Sequence, residues 1–311
     1  MKVAILGAGA WGKAVGGLFE TNGHTVAFRH HGDRDWPKGI DFACLALPVQ
    51  HIRESLAVLP PPAVPLLSLS KGLEIGTGCR VSEIVGQTWP GVPVGALSGP
   101  NFASEIVRGL PAAAVVAAGD EALAERFQAV LHQPAFRLYR STDLTGVELG
   151  GALKNVYAIA AGICLGLKLG DNAFAALVTR CLAEMTRIGV SRGGLPETFA
   201  GLSGVGDLLL TAGSEQSRNF RVGRMLCEGK ALPEILEALG GVAEGVATAR
   251  SVAEGTLIPA EEKPVAAQVH AILHEGVPPR QAVSELLGRA AVPENRPPRG
   301  VKKASQGFQT G

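Results

Sequence analysis

A glycine-rich turn near the start constrains the fold more than any other feature of this sequence. Four apolar residues run directly into Gly7, Gly9 and Gly12, spaced as G-x-G-x-x-G, and a helical segment and a second β-rich run follow. The first glycine suits a tight turn, the second leaves room for a pyrophosphate at the helix N-terminus, and the third permits close helix–strand packing. The pattern predicts a β-α-β unit that binds a dinucleotide; a purely structural turn is the alternative.

Alternating strand and helix signals fill the first half of the chain, and long helical signals fill the second. Predicted strands cover residues 2–6, 25–29, 42–47, 64–68, 94–97 and 112–117, with helices at 13–22, 50–59 and 122–131. Further helices are predicted at 147–165, 172–190, 221–228, 232–239, 248–254, 264–274 and 279–287. Such a pattern favours an α/β fold, in which a mostly parallel sheet is flanked by helices. We therefore predict a Rossmann-like doubly wound sheet in residues 1–142, an all-α domain in 143–292 and a disordered tail in 293–311.

The composition restricts partners and location. Hydrophobic residues make up 46% of the 311 residues and charged residues 18%, which excludes general disorder. A net charge of +1 gives no bulk attraction for nucleic acid or an anionic membrane. Prolines interrupt the longest charge-free stretch, residues 84–104, so we expect no membrane span. Five scattered cysteines without C-x-x-C spacing indicate no disulfide framework and no metal site, and they fit a reducing cytoplasm.

The residues at the end of the second predicted strand bear on the choice of cofactor. An NAD enzyme commonly has a carboxylate there for the ribose 2′-hydroxyl, whereas this chain has Arg29, His30 and His31. Basic side chains would attract a 2′-phosphate, so the sequence favours NADP(H), with NAD(H) as the less favoured cofactor. Because Asp33 and Asp35 lie close by, a solvated basic turn is the alternative.

Lys154 is a candidate catalytic residue. It is the only charged residue between Glu148 and Lys168, in a helical segment of small and apolar residues, where a buried ammonium without a partner would be costly. Burial lowers the pKa of a lysine and nearby anions raise it, so such a group can polarise a carbonyl and exchange a proton with an alcohol. A surface lysine that extends its stem along apolar surface is the alternative.

A third set of polar residues follows in the helical half. Asp207 and Thr211 are four residues apart at a predicted helix start, which places both side chains on one face, although Asp207 could act only as an N-cap. Arg218, between Ser217 and Asn219, offers a planar set of donors suited to a phosphate. A solvated arginine fits the spacing of Arg218 equally well.

Seven short motifs occur in order along the chain. They are GAGAWG at 7–12, SKG at 70–72, SGPNFA at 98–103, GGALKN at 150–155, GVGDLLLT at 204–211, QSRN at 216–219 and VAEG at 242–245. Together they resemble the bacterial NAD(P)-dependent glycerol-3-phosphate dehydrogenases, from Met1 to about Arg289. The resemblance implies a cytoplasmic enzyme, dimeric by family practice, that reduces dihydroxyacetone phosphate to sn-glycerol 3-phosphate, the precursor of the glycerolipid backbone.

The resemblance also implies roles for individual residues. Lys154 would accept and donate the proton, and Lys71 would touch both cofactor and substrate. The other implied substrate contacts are Gly99, Asn101, Asp207, Ser217, Arg218 and Asn219. The implied cofactor contacts are Gly7, Gly9, Ala10, Trp11, Gly12, His30, Lys71, Ala103, Arg218, Val242 and Glu244.

Two features depart from the family pattern, and two other functions stay open. The segment from residue 29 to residue 41 is shorter than is usual in the family. Asn101 stands where Thr or Ser is common, although all three side chains can donate a hydrogen bond. A β-hydroxyacid-type dehydrogenase would share the glycine turn and the helical lysine but leaves the QSRN motif unexplained. A non-catalytic NADPH-sensing module would need neither Lys154 nor a phosphate-binding set.

Overall fold

A single mixed sheet organises the N-terminal half of the protein. The computed structural model describes residues 1–30, 33–255, 259, 262–291 and 293–294. Within them the strands are β1 (Lys2–Leu6), β2 (Thr25–Arg29), β3 (Phe42–Leu45), β4 (Leu66–Ser68), β5 (Val94–Ser98), β6 (Ala112–Ala118) and β7 (Phe136–Ser141). They lie in the order β2-β1-β3-β4-β5-β6-β7, and every neighbouring pair is parallel except the antiparallel pair β5–β6. The predicted mostly parallel sheet is confirmed.

Helices cover both faces of this sheet. They are α1 (Ala10–Thr21), α2 (Ile52–Ala57), α3 (Val81–Thr88), α4 (Ala103–Val107) and α5 (Glu121–Leu131). Phe19 of α1, Ile106 of α4 and Phe127 of α5 belong to one hydrophobic core, whereas Ile52 of α2 and Ile84 of α3 belong to a second. Because β1 lies between β2 and β3, the chain reverses direction across the sheet there, which is where doubly wound folds bind ligands. The doubly wound arrangement is therefore confirmed.

The C-terminal half is helical, as expected. Its helices are α6 (Leu144–Gly166), α7 (Asp171–Ser191), α8 (Pro196–Phe199), α9 (Asp207–Ala212), α10 (Arg218–Leu226), α11 (Leu232–Leu239), α12 (Glu244–Glu254), α13 (Pro264–His274) and α14 (Pro279–Leu287). The proposed boundary at residues 142 and 143 falls between the end of β7 and the start of α6. Of the predicted tail, only Pro293 and Glu294 are among the described residues.

The long helix α6 is the centre of the helical half. In the described part of the chain it is the one helix long and apolar enough to cross a membrane by length and composition, but 89% of its apolar window is buried within the protein. Its residues from Gly146 to Cys164 are all buried, because neighbouring helices surround it and its N-terminal part also packs on β5. An apolar sequence on every face of a helix is typical of such a core position.

Four elements of the described residues were missing from the sequence prediction: β7, α3, α4 and α8. Strand β7 lies at the sheet edge, where buried Phe136 and Leu138 alternate with exposed Arg137 and Tyr139. Helix α3 is short, and its first turn is fixed by the Glu83 carboxylate, which accepts a hydrogen bond from the Arg80 amide at 2.8 Å. Helices α3, α4 and α8 have eight, five and four residues, too few for a strong periodic signal in the sequence. Strand β7 has six residues, and their alternation was a usable signal.

Several predicted helix starts were wrong by three or four residues. Helix α6 begins at Leu144 because the Asp143 side chain caps it, accepting a hydrogen bond from Gly146 N at 2.8 Å. Helix α10 begins at Arg218 because the Ser217 hydroxyl accepts a hydrogen bond from Phe220 N at 3.2 Å. Such caps extend a helix beyond its apolar pattern. Helix α12 likewise begins at 244 rather than 248, and the predicted helix 50–59 is a 3₁₀ turn followed by α2.

Close contact between α6 and α10 generates a stability prediction. A methyl group at Gly162 would lie 2.0 Å from the carbonyl oxygen of Phe220, so the two backbones would have to separate. We expect Gly162→Ala to lower the free energy of unfolding by about 3 kcal/mol. The matched control is Gly86→Ala in α3, where nothing lies within 4 Å of the added methyl group; this change should be neutral or stabilise the protein by up to about 1 kcal/mol. Urea titration of both variants measures the difference, and equal stabilities would contradict the close crossing.

Candidate active site

The glycine turn after β1 has the geometry of an anion-binding loop. Gly7 has φ +113°, and a Cβ there would lie 2.4 Å from the carbonyl oxygen of Ala46. A Cβ at Gly12 would lie 2.3 Å from the carbonyl oxygen of Gly7, whereas a Cβ at Gly9 would meet nothing within 4 Å. Gly9 is the N-cap of α1 and provides no side-chain cap for its first amides. The loop therefore leaves open space at a helix N-terminus, which fits a dinucleotide pyrophosphate.

Residues next to this loop hold it against the neighbouring strands. Ala10 is the first residue of α1, and the Trp11 indole donates a hydrogen bond to the carbonyl oxygen of Leu69 at 2.9 Å. This bond ties the loop to the segment after β4, which also carries Lys71. The structure thus brings the glycine loop and the SKG motif to the same edge of the sheet.

A buried carboxylate lies between two lysines at the centre of the site. Asp207 Oδ2 accepts a hydrogen bond from Lys71 Nζ at 2.7 Å, and Asp207 Oδ1 lies 2.9 Å from Lys154 Nζ. Lys154 Nζ also donates to Thr211 Oγ1 at 2.8 Å, and Lys71 Nζ donates to the carbonyl oxygen of Gly99 at 2.9 Å. Asp207 is 1% exposed and Lys154 is 9% exposed. The surface-lysine alternative for Lys154 is therefore wrong.

The charges of this cluster depend on one another. Burial lowers the pKa of Lys154, and the nearby Lys71 ammonium acts in the same direction, while the Asp207 carboxylate opposes both. Burial alone would raise the pKa of Asp207, but the two ammonium groups outweigh it and hold that pKa below its usual value. Asp207 is therefore ionised at neutral pH and acts as the shared counter-ion.

Local backbone structure explains why Asp207 can reach both lysines. It is the first residue of α9 and directly follows a π-helical turn at Leu202–Gly206. The N-cap of α9 is Gly206, and the Asp207 side chain points to Lys71 and Lys154 instead of capping the helix. The N-cap alternative for Asp207 is wrong.

A chain of side-chain amides connects the same site to the later helices. Asn155 Nδ2 donates to the carbonyl oxygen of Lys71 at 3.3 Å, and Asn155 Oδ1 accepts from Asn219 Nδ2 at 2.8 Å. Asn219 Oδ1 in turn accepts from Gly245 N at 3.0 Å. Sequence reasoning missed Asn155, although its position directly after Lys154 in the GGALKN motif was a usable signal.

The residues around Arg218 form the rim of the site. Arg218 is exposed, and one of its guanidinium nitrogens donates to the carbonyl oxygen of Val242 at 2.8 Å, which leaves other donors available. Ser217 is 4% exposed and caps α10. Glu244 Oε1 accepts a hydrogen bond from Val49 N at 3.1 Å, whereas its other oxygen is buried without a partner. Burial raises the pKa of Glu244 to about 7, against the effect of the Val49 amide and Arg218.

The SGPNFA motif borders the lysine cluster from the end of β5. Gly99 has φ +137° and offers its carbonyl oxygen to Lys71. Both polar atoms of the Asn101 side-chain amide are buried without a hydrogen-bond partner. An unpartnered buried amide is unusual in a folded protein, and a bound ligand is one way to satisfy it. Ala103 begins the short helix α4 beside this motif.

The predicted adenosine side of the site lies at the end of β2. Arg29 pairs with Leu6 in the sheet register, so His30 follows directly beside the glycine loop, where it is exposed. The His30 amide donates to Asp33 Oδ2 at 2.9 Å, and Arg29 Nη1 lies 3.5 Å from the same oxygen. His31 lies outside the described residues. A carboxylate is thus placed among the basic residues on which the cofactor prediction depends.

Comparison with known proteins matches most of the chain to one family. The model of the NAD-dependent glycerol-3-phosphate dehydrogenase N-terminus matches residues 34–124, and that of the C-terminus of the same family matches residues 143–284. The chain is 43% identical to the glycerol-3-phosphate dehydrogenase [NAD(P)+] of Acaryochloris marina, over 94% of this chain and 97% of the relative. It is also 43% identical to the enzyme of that name from Thiobacillus denitrificans, over 93% and 98%.

Solved structures lead to the same family. The crystal structure of glycerol-3-phosphate dehydrogenase from Coxiella burnetii superposes with a TM-score of 0.83 at 34% identity, covering 93% of this chain and 99% of that one. A Plasmodium falciparum glycerol-3-phosphate dehydrogenase shares the fold with a TM-score of 0.81 at 20% identity, covering 94% and 97%. The resemblance seen in the seven motifs is confirmed: this chain belongs to the NAD-dependent glycerol-3-phosphate dehydrogenase family.

Proposed function

We propose that this protein reduces dihydroxyacetone phosphate to sn-glycerol 3-phosphate with a nicotinamide cofactor, and so supplies the backbone of glycerolipids. The observation that carries the proposal is the buried Lys71–Asp207–Lys154 cluster beside an open glycine loop. Names shared by relatives at 43% identity over almost their full length support the same reaction. A β-hydroxyacid-type dehydrogenase gains no specific support from the site.

The cofactor fits the residues that surround the glycine loop. Gly7, Gly9 and Gly12 with Ala10 and Trp11 would hold the pyrophosphate, and His30 would line the adenosine side. Lys71, Ala103, Arg218, Val242 and Glu244 complete the proposed cofactor contacts. When bound, the reduced nicotinamide supplies the hydride for the ketone carbon.

Lys154 is the proposed general acid of the reduction. As negative charge develops on the ketone oxygen, the Lys154 ammonium stabilises it and donates a proton; in the reverse direction the amine accepts the proton from the alcohol. Asp207 and Thr211 hold Nζ at 2.9 and 2.8 Å and so fix the direction of the amine. Lys71, held by the same carboxylate, adds a second positive charge to the site.

The phosphate end of the substrate is assigned to the rim of the site. Arg218 keeps free donors while one nitrogen is anchored on the Val242 carbonyl. The Ser217 hydroxyl uses its oxygen to cap α10, so its hydrogen stays available for a phosphate oxygen. Asn219 already bonds Asn155 and Gly245, so it would act by fixing this rim. Gly99 and Asn101 would contact the substrate near Lys71.

Cofactor preference, location and assembly stay predictions. We propose that NADP(H) is preferred over NAD(H) because Arg29 and His30 lie at the end of β2, although Asp33 opposes that preference. Five scattered cysteines, all free thiols in the structure, support a reducing cytoplasm. The substrate is a small molecule, and a homodimer is expected from family practice alone.

Removal of the Lys154 amine tests the proposed chemistry. Lys154→Ala should lower kcat for NADPH oxidation with dihydroxyacetone phosphate by about 100- to 10,000-fold, because the general acid is lost. The binding of NADPH, measured by fluorescence titration, should stay close to wild type. Lys13→Ala, an exposed lysine on α1 beside the glycine loop, is the matched control and should keep its activity.

Near-normal kcat in Lys154→Ala would remove Lys154 from its proposed role. Nucleotide binding by the wild type without any NADPH oxidation would favour the sensing module instead. Unphosphorylated dihydroxyacetone serves as the parallel substrate: comparable kcat/KM with and without the phosphate would contradict the proposed phosphate rim.

The proposed cofactor preference is tested through the residue that opposes it. Wild type should show a higher kcat/KM with NADPH than with NADH. Asp33→Asn removes a carboxylate 3.5 Å from Arg29, so kcat/KM for NADPH should rise while that for NADH changes little. A marked NADH preference in the wild type would refute the NADP(H) assignment. If kcat/KM for NADPH is unchanged in Asp33→Asn, Asp33 does not affect the choice of cofactor.

A further inference from the structure

Glu148 connects the helix of Lys154 to the N-terminal half of the protein. Its carboxylate is 6% exposed and accepts three hydrogen bonds, from Arg80 Nη1 at 2.7 Å, from Ser82 Oγ at 2.5 Å and from Ser82 N at 2.8 Å. Ser82 is the second residue of α3, so the carboxylate lies at the N-terminus of that helix. We call Glu148, Arg80 and Ser82 the α6 anchor.

The α6 anchor lies on the same helix face as the contacts of the proposed active site. Gly151 and Asn155 follow Glu148 by three and seven residues, a spacing that places all three on one face of an α-helix. A Cβ at Gly151 would lie 2.5 Å from Ser98 Oγ, and Asn155 donates to the carbonyl oxygen of Lys71. This face therefore runs along the N-terminal half, with the anchor at one end and the Lys71 segment at the other.

Glycines bring α6 into close contact with its neighbours, so a small change in the position of the helix would change the contacts of the site. Gly150 and Gly151 have no side chains to interlock with their neighbours, although they allow contact with Ser203 and Ser98. Close packing holds the helix in its groove, and polar contacts with a fixed direction add to that packing in setting its position along this surface. Glu148 supplies three of them, about 9 Å along the axis from Lys154.

From this geometry we infer that Glu148 is a positioning residue for Lys154, and that the α6 anchor fixes the place of the catalytic amine relative to Lys71. The inference rests on the proposed role of Lys154. Glu148 touches neither Lys154 nor Asp207, and it acts only through the helix. Replacing the carboxylate weakens the contact between the first turns of α6 and α3, and a displacement of about 1 Å at a reacting group can cost about 100-fold in rate.

The test compares two carboxylates that share Arg80. Glu148→Gln should lower kcat for dihydroxyacetone phosphate reduction by about 10- to 100-fold, while KM and the binding of NADPH stay close to wild type. Glu83→Gln is the matched control, because Glu83 pairs with Arg80 at 3.0 Å and Arg192 at 3.2 Å but not with α6. It should disturb the same cluster and keep kcat near the wild-type value.

A double-mutant cycle tests the coupling between Glu148 and Arg80. If Glu148 and Arg80 act as one unit, Glu148→Gln combined with Arg80→Gln should lower kcat no further than the stronger single change. Losses that multiply would overturn the inference, as would normal kcat in Glu148→Gln or an equal loss in Glu83→Gln. If Glu148→Gln fails to fold, Ser82→Ala decides instead: it removes one of the three bonds and should give a smaller fall in kcat with unchanged NADPH binding.

The outcome also distinguishes this inference from the proposed function. A wild-type protein that oxidises no NADPH with dihydroxyacetone phosphate would refute the function itself. If the wild type is active and Glu148→Gln has the same kcat, the proposed function stands and only the role of the α6 anchor is refuted.

Discussion

The carboxylate of Asp207 is buried between the ammonium groups of Lys71 and Lys154, and the rest of the site depends on that arrangement. Without the carboxylate, burial and the nearby Lys71 ammonium would both disfavour the charged state of Lys154. The carboxylate opposes this effect on the pKa of Lys154, and it binds the side chains of both lysines. The site is thus prepared in advance for an oxygen that becomes negative during the reaction.

Close packing around α6 makes this arrangement possible. The helix carries Lys154 and Asn155, and it crosses α10 with so little space that a methyl group at Gly162 would lie 2.0 Å from the Phe220 carbonyl. Asn155 and Asn219 then join α6 to α10, and Gly245 at the start of α12 completes the chain. A single helix therefore links the Lys71 segment of the N-terminal half to α10 and α12 of the helical half.

Local signals predicted the fold and the main catalytic candidate. The spacing of Gly7, Gly9 and Gly12 indicated the cofactor loop, and a lone charge in an apolar helix indicated Lys154. The contact between Lys71 and Asp207 spans 136 residues, so no local pattern could show it; only the family resemblance placed both near the substrate.

Other features of the structure were not predicted from the sequence because tertiary contacts determine them. Strand β7 depends on its pairing with β6, and the short helix α3 depends on a capping carboxylate. The extra turns at the starts of α6 and α10 depend on the caps from Asp143 and Ser217. Asp33, which the sequence placed only near the basic turn, contacts Arg29 and the His30 amide because the chain folds back there.

The most direct measurement of the central claim is the titration of Lys154 with and without its counter-ion. Asp207→Asn removes the carboxylate that, among the described residues, raises the pKa of Lys154 against burial and Lys71. The alkaline limb of kcat/KM for the reduction, where the ammonium loses its proton, should therefore move to lower pH in Asp207→Asn than in wild type. NMR of the lysine side-chain carbons follows the same titration if turnover is lost. A limb that stays in place or moves to higher pH would contradict the account.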